Sequence, residues 1–342
     1  MTRIPSIDGL RGIAALTVVV FHGFVSTFEA WPWWVNPGHL GVRLFFVLSG
    51  ALISGLLWSM QEDGRTFGST WRRFAYRRAL RIFPLAYLAM ALAWLAGLPA
   101  MREYPWAYLT FTNNTVPALD GDAGYGLGHL WTLAVEEQVY LGWPVLVLLV
   151  PFVRWPVVAI GLIVSAATLR AVVWAYAWPF DQLPFTYLDG FAAGSLVTWS
   201  VRDGQASACG RWLVLVGAGL VAATAWAGSS PTDAALETGT ILLLAALVGW
   251  AWTHPDAPIL SWRPLVWVGT ISYGVYVWHL VAPVLLERLG VPLPAFGFAR
   301  CAWMLTCGIG VAALTWYGFE RPLNRLKDRR AAERSSRLPV TA

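Results

Sequence analysis

Ten separate stretches of 17 to 24 mostly apolar residues run through this chain, each long enough to cross a hydrocarbon core of roughly 30 Å or close to it. They cover residues 10–28, 40–59, 82–99, 129–150, 155–178, 184–200, 212–229, 236–253, 264–286 and 297–318. In lipid every backbone N–H and C=O must find a partner inside the protein, so runs of this kind fold as helices. Charged residues are only 13% of the chain, against about a quarter in soluble domains. The expected fold is therefore all-α: a polytopic membrane protein with about ten transmembrane helices. The first stretch contains Arg11 and His22 and is followed by no small-x-small cleavage site, so it reads as a permanent span and not as a signal peptide.

Ten spans put both termini on one side, and nineteen of the 24 basic residues fall there. These are Arg3, Arg11, the cluster from Arg65 to Arg81, Arg154, Arg202, Arg211, Arg263 and the seven between Arg321 and Arg337. Basic residues concentrate in cytoplasmic loops, so both termini are expected in the cytoplasm and the chain in the inner, cytoplasmic membrane. An odd number of spans would destroy this segregation. The net charge of +5 thus expresses topology and contact with membrane lipids, and no nucleic-acid partner is expected. A membrane domain over 1–326 and a disordered cytoplasmic tail over 327–342 account for the chain. Residues 61–81 form the one sizeable cytoplasmic connection, and 100–128 the longest outer loop, a length that favours function. Cys209, Cys301 and Cys307 have neither disulfide nor metal spacing and read as packing residues, so no metal is expected. Tryptophans near span ends (Trp31, Trp33, Trp34, Trp174, Trp178, Trp262, Trp267) suit an interfacial belt.

Ionisable residues inside such spans are costly and mark candidate sites. Arg11 and His22 are eleven residues apart, about three helical turns, and share one face roughly 16 Å apart. That places a fixed cation near one membrane surface and a titratable imidazole near mid-membrane. A snorkelling Arg11 beside Asp8 is the plainer reading of the first; proton transfer suits the second. In Leu40-Gly41-Val42-Arg43-Leu44-Phe45-Phe46-Val47-Leu48-Ser49-Gly50, Arg43 could anchor at the interface, while Ser49-Gly50 suits close helix packing. Arg77, Arg78 and Arg81 fall on one side of a helix, where guanidinium forks can grip phosphates or attract lipid headgroups.

The segment His129-Leu130-Trp131-Thr132-Leu133-Ala134-Val135-Glu136-Glu137 brings two carboxylates into a span. If it is helical throughout, His129 and Glu136 share a face, with Tyr140 one turn further. Asp189 is another intramembrane carboxylate, and Arg170 could pair with it or with Glu136. Ser272 and His279, seven apart in Ile271-Ser272-Tyr273-Gly274-Val275-Tyr276-Val277-Trp278-His279, also share a face. A packing serine and a buried histidine would account for them equally well.

Together and in this order, these segments resemble the acyltransferase-3 family of bacterial integral-membrane acyltransferases. The resemblance runs from Arg11 to Phe319-Glu320-Arg321-Pro322. It rests on the basic-x10-His pair, the Gly41-to-Gly50 run, Arg78 and Arg81, Trp131 to Glu136, and the Ile271-to-His279 segment. One departure is Tyr187, where the family usually has an arginine two residues before the carboxylate matching Asp189. Without an appended extracytoplasmic hydrolase-like domain in the sequence, a relay to a second domain of the same chain is not expected. The resemblance implies transfer of an acyl group, most simply acetyl, from cytoplasmic acyl-coenzyme A to a hydroxyl of a carbohydrate-like or metabolite acceptor. It casts Arg77, Arg78 and Arg81 as donor-binding residues, with His22, Arg11 and Glu136 catalytic. His22 would act as general base or as transient acyl carrier, and Glu136 would set the tautomer of His22 or His129. His129, Asp189, Ser272, His279, Arg43 and Arg170 would support the acceptor side. The rival class is a proton-coupled transporter using His22, Glu136 and Asp189 as a relay; the lack of a visible inverted repeat weighs against it.

Overall fold

A computed structural model describes residues 3–25, 35–120, 124, 126–224 and 230–324. Among them there is no strand. Eleven principal helices follow one another: α1 (Pro5–Gly23), α2 (Pro37–Glu62), α3 (Phe67–Leu95), α4 (Trp131–Leu149), α5 (Trp155–Ala175), α6 (Leu188–Arg202), α7 (Ala206–Thr224), α8 (Ser230–Thr253), α9 (Arg263–Thr270), α10 (Ser272–Arg288) and α11 (Phe298–Thr315). Eight helices of the described chain are long and apolar enough to cross a membrane, and α9 with α10, bent by 71° at Ile271, makes nine. The tenth expected span corresponds to α6, whose 15 residues cover about 22 Å. It is almost wholly buried, packed against α2, α5 and α8. The molecule is an all-α, multi-pass membrane protein.

The helix ends depart from expectation where local chemistry overrides hydropathy. α1 begins at Pro5, which needs no N–H at the first helical position, and ends at Gly23. His22 therefore occupies its last turn instead of the middle of a span. Asn36 caps α2 by accepting from the Gly38 N–H at 2.9 Å, with Pro37 at the first position. α3 starts at Phe67 and carries the arginines from Arg72 to Arg81, so the connection expected over 61–81 shrinks to 63–66, where Arg65 lies. The loop 100–128 contains short helices over Pro99–Glu103, Pro105–Leu109 and Val116–Asp120. The expected tail over 327–342, and Trp31, Trp33 and Trp34, lie outside the described residues.

Close backbone approach holds the centre. A Cβ on Gly50 of α2 would stand 2.1 Å from the Phe191 oxygen, and one on Gly194 of α6 1.9 Å from the Val47 oxygen. Only glycine allows these two helices to meet there, as small residues do between membrane helices. Trp178 and Trp262 are exposed, in keeping with a belt, but Trp58, Trp143, Trp155 and Trp278 are core. Trp143 donates to Ser54 at 2.9 Å and Trp155 to Ser195 at 3.0 Å.

Candidate active site

Three clusters of polar side chains lie within this bundle. The first lines a cavity of about 300 Å³ between α1, α2, α3, α4 and α10. Arg11, Arg77, Arg78 and Arg81 contribute four guanidinium groups to its wall, and Glu136 is the one carboxylate there. None of the four has a carboxylate within 4 Å among the described residues. Arg11 donates to the Ser272 hydroxyl at 3.1 Å, and Arg78 lies 4.7 Å from the centre of the Tyr140 ring. Glu136 accepts from Ser49 at 2.8 Å. Asp8 does not take Arg11; it pairs with Arg3 at 2.5 Å. The Tyr273 hydroxyl donates to the Ile82 carbonyl at 2.7 Å and ties the start of α10 to the arginine helix. Along α2 the lining runs from Leu56 to Val42, about 21 Å at 1.5 Å per residue, with an aromatic and apolar far end at Phe45 and Phe46.

The second cluster is made of histidines. His22 Nδ1 lies 3.2 Å from His279 Nε2 and 2.9 Å from the Val18 carbonyl oxygen. His129 stacks edge-on against His279 with centroids 4.7 Å apart, and its Nε2 is 3.2 Å from the Val277 oxygen. Tyr276 joins the two clusters: it lines the cavity, its ring centroid is 5.7 Å from that of His279, and its hydroxyl donates to the His129 carbonyl at 2.5 Å. Thr132 bonds that hydroxyl, also at 2.5 Å. Among the described residues no group of three or more His, Cys, Asp or Glu side chains is arranged to hold a metal ion.

The third cluster is a buried pair of ion pairs. Arg43 of α2 pairs with Glu237 of α8, and Arg170 of α5 with Asp189 at the start of α6; side-chain exposure is 6% or less throughout. Arg170 also donates to the Thr186 carbonyl at 2.8 Å and to Thr238 at 2.9 Å. Arg43 lies over the Tyr187 ring, 4.6 Å from its centre. Four charges removed from solvent persist only when paired and hydrogen-bonded.

The structure thus brings Arg11 to Ser272 and His22 to His279, joining two sequence pairs through parallel helices. It separates Glu136 from the histidines: its side-chain partners are Ser49 and Tyr140, with Arg78 and Arg11 as the nearby cations. The cause is local. Residues Gly128–Leu130 form a 3₁₀ turn, not the first turn of α4, so the co-facial spacing expected for His129 and Glu136 fails. His129 points to α10 and Glu136 to α2. Arg43 is no interface anchor, and Arg170 takes Asp189 and not Glu136. Where the family pattern has an arginine and this chain has Tyr187, Arg170 arrives from another helix. Glu237 escaped sequence reading, although a carboxylate inside the 236–253 stretch was signal enough. Tyr276 carried no comparable sign.

Fold and site together define a class, and the family's sequence profile, described as an acyltransferase domain, matches residues 4–317. The chain belongs to the acyltransferase-3 family of membrane proteins. It is 28% identical to the peptidoglycan O-acetyltransferase of Listeria monocytogenes, over 82% of this chain and 50% of that protein. A Bacillus subtilis protein with the provisional name of peptidoglycan O-acetyltransferase is also 28% identical, over 94% of this chain and 55% of its own length. A Komagataeibacter xylinus protein, provisionally named a membrane-bound transacylase, is 30% identical over 81% of this chain and 72% of its own. The chain spans about half the length of the first two relatives. No solved structure matches it significantly.

Proposed function

We propose that the protein is a membrane O-acyltransferase that moves an acyl group, most simply acetyl, from cytoplasmic acyl-coenzyme A to a hydroxyl of a carbohydrate-like acceptor. The observation that carries this reading is the cavity with four guanidinium groups and one carboxylate. Unpaired guanidiniums in a half-buried cleft call for a polyanion, and the nucleotide end of acyl-coenzyme A supplies phosphates they can hold bidentately. The elongated apolar remainder of the cavity suits a pantetheine arm reaching toward Tyr276 and the histidines.

In this reading the cavity mouth lies on the cytoplasmic side of the inner membrane. His22 Nε2 takes the proton of the acceptor hydroxyl as its oxygen attacks the thioester carbonyl. The C–S bond breaks, coenzyme A leaves as thiolate, and the proton on His22 passes to that sulfur. The products are an ester and a free thiol, and the imidazole is neutral again. Arg11, fixed by Ser272, would steer the donor inward, and the Arg43, Glu237, Arg170 and Asp189 cluster would hold the outer half of the bundle for the acceptor.

Mass spectrometry of cell-surface glycans and small metabolites, with and without the gene, tests the reading. Acetyl ester on a sugar hydroxyl that disappears with the gene is the expected result. Unchanged acetylation together with substrate-driven proton flux in vesicles would replace it with transport.

A further inference from the structure

We infer that His279 is a positioning residue for His22: it holds the His22 ring in the tautomer whose Nε2 lone pair is bare and supports the charge that arrives there. The inference deepens the proposed function and rests on His22 serving as its base.

The argument starts from three backbone carbonyls, which can only accept. His22 Nδ1 is 2.9 Å from the Val18 oxygen, so Nδ1 carries the hydrogen. His279 Nδ1 is 2.6 Å from the Tyr276 oxygen, so it too carries its hydrogen on Nδ1. The remaining contact is His279 Nε2 to His22 Nδ1 at 3.2 Å. Two N–H groups cannot face each other, so His279 Nε2 is a lone pair and that ring is neutral. It accepts the second branch of a three-centre bond from the His22 Nδ1–H, whose first branch goes to the Val18 carbonyl. His129 follows the same logic: its Nε2–H donates to the Val277 oxygen.

The alternative tautomer of His22 would turn a bare Nδ1 toward a carbonyl oxygen and an imidazole lone pair at once. The two acceptors therefore exclude it, and Nε2 is left free to receive a proton. When it does, the ring becomes an imidazolium, and its Nδ1–H bonds to Val18 and His279 become charge-assisted. Among the described residues no carboxylate bonds to His22, and the side-chain partners of Glu136 are Ser49 and Tyr140. Among the described residues the titratable side chains stacked on His279 beside His22 are His129 and Tyr276, both already hydrogen-bonded. His279 is itself held rigidly: it is fully buried, and a Cβ on Gly308 of α11 would lie 3.1 Å from its Cα.

The test uses full-length protein in lipid nanodiscs, ¹⁵N-labelled at histidine, with the His22 signals assigned by their loss in His22→Ala. The expected spectrum has His22 protonated at Nδ1 and bare at Nε2. In His279→Leu the His22 signals should shift toward a mixture of tautomers. In parallel, consumption of acetyl-coenzyme A by washed membranes, which supply the native acceptor, should fall about ten- to hundredfold in kcat. The KM for acetyl-coenzyme A should change little. His279→Gln, whose Oε1 can accept the same hydrogen, should recover most of both losses. A His22 ring carrying its hydrogen on Nε2, or His22 signals unmoved in a folded His279→Leu protein, would overturn the inference. Full activity in His22→Ala alongside the expected spectra would instead remove His22 as the base while leaving its tautomer set by His279.

Discussion

Arg78 lies against the Tyr140 ring and, with Glu136 nearby in the same cavity wall, still makes no ion pair within 4 Å among the described residues. A cation held in this way stands ready for an anion that the protein itself does not supply. Replacing Arg78 and Arg81 together by Ala should raise the KM for acetyl-coenzyme A, since a charge-assisted contact contributes about 1.5–3 kcal/mol. Steady-state kinetics on purified, inserted protein measures this; an unchanged KM would leave only a lipid-headgroup role. His22→Ala should lower transfer by about 10²- to 10⁴-fold without preventing insertion, the range for a lost general base. Labelled donor without acceptor separates the two roles of His22: a base-labile label, absent from His22→Ala, marks an acyl carrier, and no retained label marks a base. At this scale helical spacing read the molecule well. Eleven residues in α1 and seven in α10 were enough to bring Arg11, His22, Ser272 and His279 onto meeting faces. Spacing failed for His129, because a three-residue 3₁₀ turn has a different angular step from the helix after it. It left Arg170 open between Asp189 and Glu136, because only tertiary packing decides which carboxylate it meets.

Among elements, the two buried ion pairs clamp α2, α5, α6 and α8. Removing one partner leaves an uncompensated charge in an apolar interior. Glu237→Ala alone should therefore cost about 3–5 kcal/mol, whereas a double change of Arg43 to Met and Glu237 to Leu should restore much of the loss. Thermal unfolding in detergent gives the comparison. If the single variant melts like the parent, Glu237 is not the counterion that keeps Arg43 in place. Topology is open to the same direct approach. With Cys209 replaced by Ser, a cysteine at Arg65 should react only with reagents that cross the membrane, and one at Trp106 with impermeant ones. Both parent residues are exposed. Equal labelling of the two would remove the ten-span arrangement and the cytoplasmic donor side with it. Where the long helices lie was legible because hydropathy dominates it; that the 184–200 stretch folds as a short buried helix was not, since tertiary packing sets that. Helix ends were not, because Pro5, Asn36 and the arginine run of α3 act through caps and backbone geometry.

At the scale of the whole molecule, donor binding should register as stability, because a ligand that binds only the folded chain adds about 2.7 kcal/mol at a hundredfold excess over its Kd. Coenzyme A should raise the melting temperature, pantetheine without the nucleotide should do so far less, and the Arg78/Arg81 double variant should lose the difference. Equal shifts with pantetheine and coenzyme A would mean that the guanidinium cavity does not read phosphates.

The parallel contact of α1 with α10 sets a further condition. Arg11 meets Ser272 at one level and His22 meets His279 at another, so the two helices act as a vernier. One residue added between Ala14 and Val18 would turn everything beyond it by about 100° and advance it 1.5 Å. Arg11 would keep its serine while His22 swung away from its partner ring. The number of residues between the two is thus as strict a requirement as their identity. A chain could keep every named side chain and still lose the site by a single codon.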